Sequence, residues 1–140
     1  MSYRYVPKQF VFSKITSDIE VKVEPVYMPD HSNPRHQQYV WAYNVVIENK
    51  STHKIKLLNR HWKITDARGC SRDVRGTGVL GEQPVLGPGE AFGYSSHTVL
   101  PTPSGFMTGD YEVVDDAGRT VRVDIPAFTL DDPSSAPLLN

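Results

Sequence analysis

Residues 18–24 read Asp-Ile-Glu-Val-Lys-Val-Glu. Ile19, Val21 and Val23 fall on one side of an extended chain, and Glu20, Lys22 and Glu24 on the other. A period of two with β-branched residues on one face predicts a half-buried strand. The signature recurs downstream. Within residues 38–49, Tyr39, Trp41, Tyr43, Val45 and Ile47 share a face, while Val40, Ala42 and Val46 are apolar on the other. That pattern predicts a central strand at least partly covered on both sides. Residues 55–65 predict a third strand with Leu58, Trp62 and Ile64 inward. Residues 71–79 predict a short strand interrupted by Gly76 and Gly78, followed by strands over 91–96, 106–115 and 120–130. Pro126 marks a bulge or the end of edge pairing. Proline- and glycine-containing stretches at 28–38, 82–89 and 101–105 read as loops, and 116–118 as a hairpin connection.

Composition agrees. The 140 residues include 16 Val, 6 Ile, 9 Thr and 14 aromatics, against 8 Leu, 6 Ala and 3 Met. β-branched and aromatic side chains suit a pleated surface and lose rotamer freedom in helices. One all-β domain is expected, an antiparallel β-sandwich of about seven or eight strands. Trp62 stands where immunoglobulin-like sandwiches place a core Trp. Gly109-Asp110-Tyr111 resembles a tyrosine corner, with the hydroxyl capping nearby backbone. The lone Cys70 leaves no cysteine pair, so the fibronectin type III variant fits better than a true immunoglobulin domain. The expected division is a loose N-terminal arm over 1–17, the sandwich over 18–130 and a frayed tail over 131–140.

The formal charge of -1 removes the bulk electrostatic case for nucleic-acid or anionic-membrane binding. The N-terminal stretch has no apolar run of a secretory signal, and no run approaches the roughly 20 residues that span a bilayer. With one cysteine, a cytoplasmic protein without membrane insertion is expected.

Arg75-Gly76-Thr77-Gly78-Val79-Leu80-Gly81 is a literal GxGxxG. In a dinucleotide fold such glycines open a helix whose N-terminus receives the pyrophosphate. Here Pro84, Gly87, Pro88 and Gly89 follow, and no helix can continue through them. Two readings stay open: positive φ with close packing, or an anion nest of backbone N–H groups with Arg72 and Arg75 upstream. Arg60 and His61 form a second candidate patch beside this loop. His31, His36, His53, His61 and His97 show no metal-ligand spacing. Ser95, Ser96 and His97 are adjacent, so neighbours point to opposite faces and make no nucleophile–base pair. No catalytic, cofactor or metal site is predicted, and the expectation is a non-enzyme.

An ordered series of motifs sharpens this. Tyr39-Val40-Trp41-Ala42-Tyr43, Leu57-Leu58-Asn59-Arg60-His61-Trp62, Val74-Arg75-Gly76-Thr77-Gly78-Val79-Leu80-Gly81-Glu82-Gln83-Pro84, Gly105-Phe106-Met107-Thr108-Gly109-Asp110-Tyr111 and Ile125-Pro126-Ala127-Phe128 resemble the ApaG family over about residues 18–130. The resemblance implies a bacterial protein with a fibronectin type III-like sandwich, associated with cobalt resistance and magnesium efflux. It also implies a binding module, since similar domains are appended to eukaryotic F-box proteins. Ser96 and His97 stand where the family commonly has Gly after Tyr-x-Ser, which argues against a tight positive-φ turn there. The leading expectation is an interaction domain acting on divalent-cation homeostasis through an unidentified protein partner. Its face would comprise Arg60, His61, Arg72, Arg75, Gly76, Gly78 and Gly81. The alternative is a phosphate- or nucleotide-responsive protein using the 76–81 loop, and a third is direct Co²⁺ or Mg²⁺ binding. A homodimer through edge strands is a further expectation.

Overall fold

The computed structural model describes residues 12–133. Nine strands follow one another: β1 (Phe12–Thr16), β2 (Ile19–Tyr27), β3 (Tyr39–Asn49), β4 (Ile55–Asp66), β5 (Ser71–Thr77), β6 (Val85–Leu86), β7 (Ala91–Leu100), β8 (Ser104–Asp115) and β9 (Thr120–Asp131). One sheet has the order β1-β2-β3-β7. The other has β5-β4-β8-β9, with β6 also paired to β4. All pairings are antiparallel. Single 3-10 turns at Pro29–His31 and Pro34–His36 punctuate the 28–38 loop. Among the described residues, no helix is long and apolar enough to cross a membrane.

The sheets meet face to face. Ile19, Val21, Val23, Trp41, Tyr43, Val45 and Ile47 from the first pack against Leu57, Trp62, Ile64, Tyr111, Val123, Ile125 and Phe128 from the second. Each fully buried aliphatic or aromatic side chain contributes roughly 1.5–3 kcal/mol relative to its exposed state. Two bulges keep the apolar residues inward where strict alternation would turn them out. In β4 the register against β8 shifts between Leu57 and Asn59. Leu57 is therefore buried and Leu58 only partly so, where alternation counted back from Trp62 predicts Leu58 inward. In β9, Pro126 and Ala127 oppose the single Thr108, so the inward set passes from Val123 and Ile125 to Phe128 and Leu130. Pro126 thus sits at a bulge, and pairing continues to Asp131.

Three further expectations are corrected. The 1–17 arm gives way at Phe12, where Phe12–Thr16 pairs with β2; residues 1–11 and 134–140 lie outside the described residues. β1 escapes a periodicity reading because its apolar Ile15 points out to solvent, while Lys14 and Thr16 face β9. β6, of two residues, lies within the predicted 82–89 loop. Glu20 and Glu24, read as solvent-facing, are buried. Lys50 Nζ lies 2.8 Å from Glu20 Oε1 and holds that carboxyl below the usual carboxylate range. Asn44 Nδ2 donates to Glu24 Oε1 at 3.1 Å. β3 is central in pairing as expected, and its outer face is partly covered: Val40 is buried, Ala42 half-buried and Val46 exposed.

The two long margins of the sandwich differ. At the β1–β9 margin the Asp124 N–H donates to Thr16 Oγ1 at 3.2 Å, Lys14 Nζ lies 2.9 Å from Asp124 Oδ2, and the Phe12 and Phe128 rings meet at 6.1 Å. At the β5–β7 margin the sheet edges stand apart and leave a cleft.

Candidate functional site

β4 carries Arg60, His61 and Trp62 in succession, so Arg60 and Trp62 share a face and His61 takes the other. The pairing with β5 sets Gly76 opposite Arg60, Arg75 opposite His61, Val74 opposite Trp62 and Arg72 opposite Ile64. Directly opposed residues share a face. The predicted face therefore divides in three. Arg60, Arg72 and Gly76 belong to the inter-sheet margin, His61 and Arg75 to the outer surface of the second sheet, and Gly78 and Gly81 to a hairpin at its end. Arg60 and His61 do not form one surface pair.

The hairpin accounts for its glycines. The Val79 N–H donates to Glu82 O at 2.8 Å and the Glu82 N–H to Val79 O at 2.9 Å. Leu80 and Gly81 between them both have positive φ, 49° and 77°, as a type I′ turn requires. A Cβ on Gly78 would lie 2.0 Å from Glu82 O, so only glycine admits this approach. The Gly78 N–H donates to Leu58 O at 2.8 Å. Within the 76–81 loop the Gly78 and Val79 N–H groups are thus bonded inside the chain, as is that of Glu82 just beyond it. Gly76 has another role: its missing Cβ leaves room for the Arg60 guanidinium, which would be 2.6 Å away. Arg60 Nη1 donates to Thr77 O at 3.2 Å and Gly78 O at 2.8 Å, holding the loop from the inside.

On the outer surface, His61 Nε2 lies 2.8 Å from Asp73 Oδ1 and Nδ1 lies 3.9 Å from Asp110 Oδ2. The His61 bond holds the Asp73 carboxyl below its ordinary value of 3.8. A carboxyl depressed in the folded state stabilises the fold above its unfolded pKa, and the benefit disappears as pH falls through the folded pKa. Asp73 should accordingly titrate below 3.8 in a carboxyl-carbon NMR titration, and His61→Gln should move it back toward that value. An unmoved Asp73 in the variant would refute the assignment. Among the described residues, no group of three His, Cys, Asp or Glu side chains is placed to hold a metal ion. Cys70 is exposed and free.

The cleft at the β5–β7 margin has a volume of about 320 Å³. Trp62, Ile64, Arg60, Arg72 and Val74 line it from the second sheet, and Tyr43, Ser96, His97, Thr98 and Val99 from the first. Arg72 Nη2 crosses it, donating to Thr98 Oγ1 at 3.2 Å and Val99 O at 3.1 Å. Burial pushes the Tyr43 phenol up, while the Ser96 hydroxyl and the positive charges of Arg60 and Arg72 act in the opposite direction. Beneath, the Tyr94 and Tyr111 hydroxyls bond each other, and burial raises both. The Tyr111 hydroxyl therefore meets a side chain rather than the backbone group expected of a tyrosine corner. Ser96 lies mid-strand opposite Tyr43, with no turn there. Tyr43, Ser96, Thr98 and Val99 were not predicted as site residues, because they reach the cleft only through the facing of the two sheets.

The description "ApaG domain" matches residues 29–115, which include every residue of the predicted face. The chain belongs to the ApaG family. Protein ApaG of Paramagnetospirillum magneticum is 52% identical over 130 residues, 93% of this chain and 100% of its own length. Protein ApaG of Rhodospirillum centenum is 52% identical over 123 residues, 88% of this chain and 95% of its own. A crystal structure of an ApaA protein from Bordetella pertussis superposes with a TM-score of 0.81 at 46% identity, covering 83% of this chain and 94% of that one. The ApaG match begins after β2 and ends before β9, so it holds both edge strands of the open margin but neither strand of the closed one.

Proposed function

We propose that this ApaG-family chain is a non-enzymatic recognition domain of the cytoplasm that acts on divalent-cation balance, in cobalt resistance and magnesium efflux, through a protein partner. The link to cations rests on the family resemblance. The observation that carries the recognition reading is the open margin. β5 and β7 are both edge strands, and a cleft separates them. Six of the seven β5 residues are exposed. An edge strand offers unpaired N–H and C=O groups to an incoming extended segment, and adjacent pockets supply side-chain specificity. The same edge offers a route to a homodimer.

Affinity capture from the native cytoplasm, read by mass spectrometry, tests this with two single variants. Arg72→Glu reverses the charge inside the cleft and Arg75→Glu on the opposite face of the same strand. Arg72→Glu is expected to lose the captured partner by about tenfold or more, and Arg75→Glu to retain it. Undiminished capture by Arg72→Glu removes this margin as the recognition surface.

A further inference from the structure

The cleft holds two guanidinium groups and no carboxylate in its lining. Two described arginines lie beside acids, Arg119 Nε at 3.1 Å from Asp115 and Arg122 Nε at 3.9 Å from Asp110. Among the described residues, neither Arg60 nor Arg72 has a carboxylate within 4.0 Å. Their hydrogen-bond partners are neutral oxygens. Arg60 uses Nη1 on two carbonyls, and Arg72 uses Nη2 on one hydroxyl and one carbonyl. A guanidinium carries five N–H donors in a planar fork, so each retains Nε and its other terminal nitrogen for a further acceptor. The bonds already made fix both side chains before any ligand arrives, which lowers the ordering cost of binding.

The surroundings are apolar. Trp62 and Ile64 form the floor, and Val74, 37% exposed, stands at the β5 lip. On β7 the alternation that turns Ser96 and Thr98 inward turns the Val99 side chain to the outer face, and Val99 meets Arg72 through its carbonyl. An exposed apolar side chain beside an arginine is surface that a ligand would cover.

We propose that the β5–β7 cleft binds an oxyanion, a carboxylate or a phosphate group, carried on an apolar or aromatic body. The anion meets the free donors of Arg60 and Arg72, and the body lies along the cleft against Val74, above the floor that Trp62 and Ile64 form. The Tyr43 phenol, whose ionisation both arginines favour, lies in the same positive field. This differs from a phosphate site in the glycine hairpin, whose Gly78, Val79 and Glu82 N–H groups are bonded within the chain. The inference rests on the margin being a recognition surface and names the chemistry of what enters it.

The test is a titration of the full-length chain followed by amide shifts, with phenyl phosphate and phenylacetate in separate arms and benzyl alcohol as the neutral control. Saturable shifts are expected at Val74, Ser96, Thr98 and Val99, in about the millimolar range of a ligand this small. The tighter arm identifies the anion as phosphate or carboxylate. Arg72→Gln should weaken binding about tenfold or more, and Arg75→Gln should leave it unchanged. Flat titrations in both anion arms to about 10 mM overturn the proposal, a result that needs no variant and leaves the capture experiment untouched. Equal binding of benzyl alcohol overturns it as well, as does equal weakening by Arg75→Gln.

Discussion

Replacing Trp62 by Ala is expected to lower the unfolding free energy by about 4–5 kcal/mol, the upper end for large-to-small core changes. Trp62 is 2% exposed. Its ring meets Tyr43 at 5.2 Å, Phe128 at 6.0 Å and Tyr111 at 6.5 Å, the latter two edge to face. Those partners come from both sheets, so deletion opens a hole at the sheet interface, where neither sheet can move in alone. The indole also lies opposite Gly109, whose missing Cβ allows close strand approach: a Cβ there would be 2.3 Å from His61 O. Backbone and ring are fitted to each other, and relaxation is limited. Since domains of this size unfold at about 5–15 kcal/mol, the variant should be marginal or unfolded at 37 °C. Urea denaturation checks this, with Trp62→Phe as the milder companion. A loss below about 1.5 kcal/mol for Trp62→Ala would mean that the ring is not the centre of the core.

The second large effect is Gly78→Ala. Two costs combine. The positive φ of 60° disfavours any Cβ by roughly 1–2 kcal/mol. The 2.0 Å approach to Glu82 O adds a steric term, and that carbonyl is held by the Val79 N–H. Together they predict a loss of about 3 kcal/mol. Gly81 has a φ of 77° and nothing within 4 Å of an added Cβ, so Gly81→Ala should cost only about 1 kcal/mol. Thermal or chemical denaturation of both variants gives the ordering. Equal losses would show that the close approach at Gly78 relaxes easily and that backbone conformation alone selects these glycines.

Much of the sandwich was legible because its central strands bury one face cleanly. Ile19, Val21 and Val23 needed only their period of two, as did the Tyr39-to-Ile47 series. What escaped has physical causes. β1 lies at a margin where Phe12 turns to Phe128 but Lys14 and Thr16 on the same face meet polar partners on β9, while apolar Ile15 is exposed, so no apolar period of two appears. In the Leu57-Leu58 doublet either residue satisfies the apolar pattern, and the pairing with β8 chooses Leu57. In β9 the change from odd to even apolar positions was written around Pro126, and the bulge was readable there. For the site, strand parity already separated Arg60 from His61. Grouping them followed closeness in sequence, which in an extended chain is the least informative measure. The cleft itself was not legible, since Arg72 reaches Thr98 and Val99 across the gap between two sheets.

The closed margin has a consequence for synthesis. Thr16 and Asp124, which join β1 to β9, are 108 residues apart. Trp41 donates its indole N–H to Asp131 O, 90 residues away. At roughly 5–20 residues per second, about 5–20 s pass between the emergence of β1 and that of its partner. During that interval the inner face of β2 and β3, with Val21, Val23, Trp41 and Tyr43, has no opposing wall from β8 and β9. The ribosome therefore releases a long apolar ribbon well before it releases β8 and β9, the strands that complete its cover.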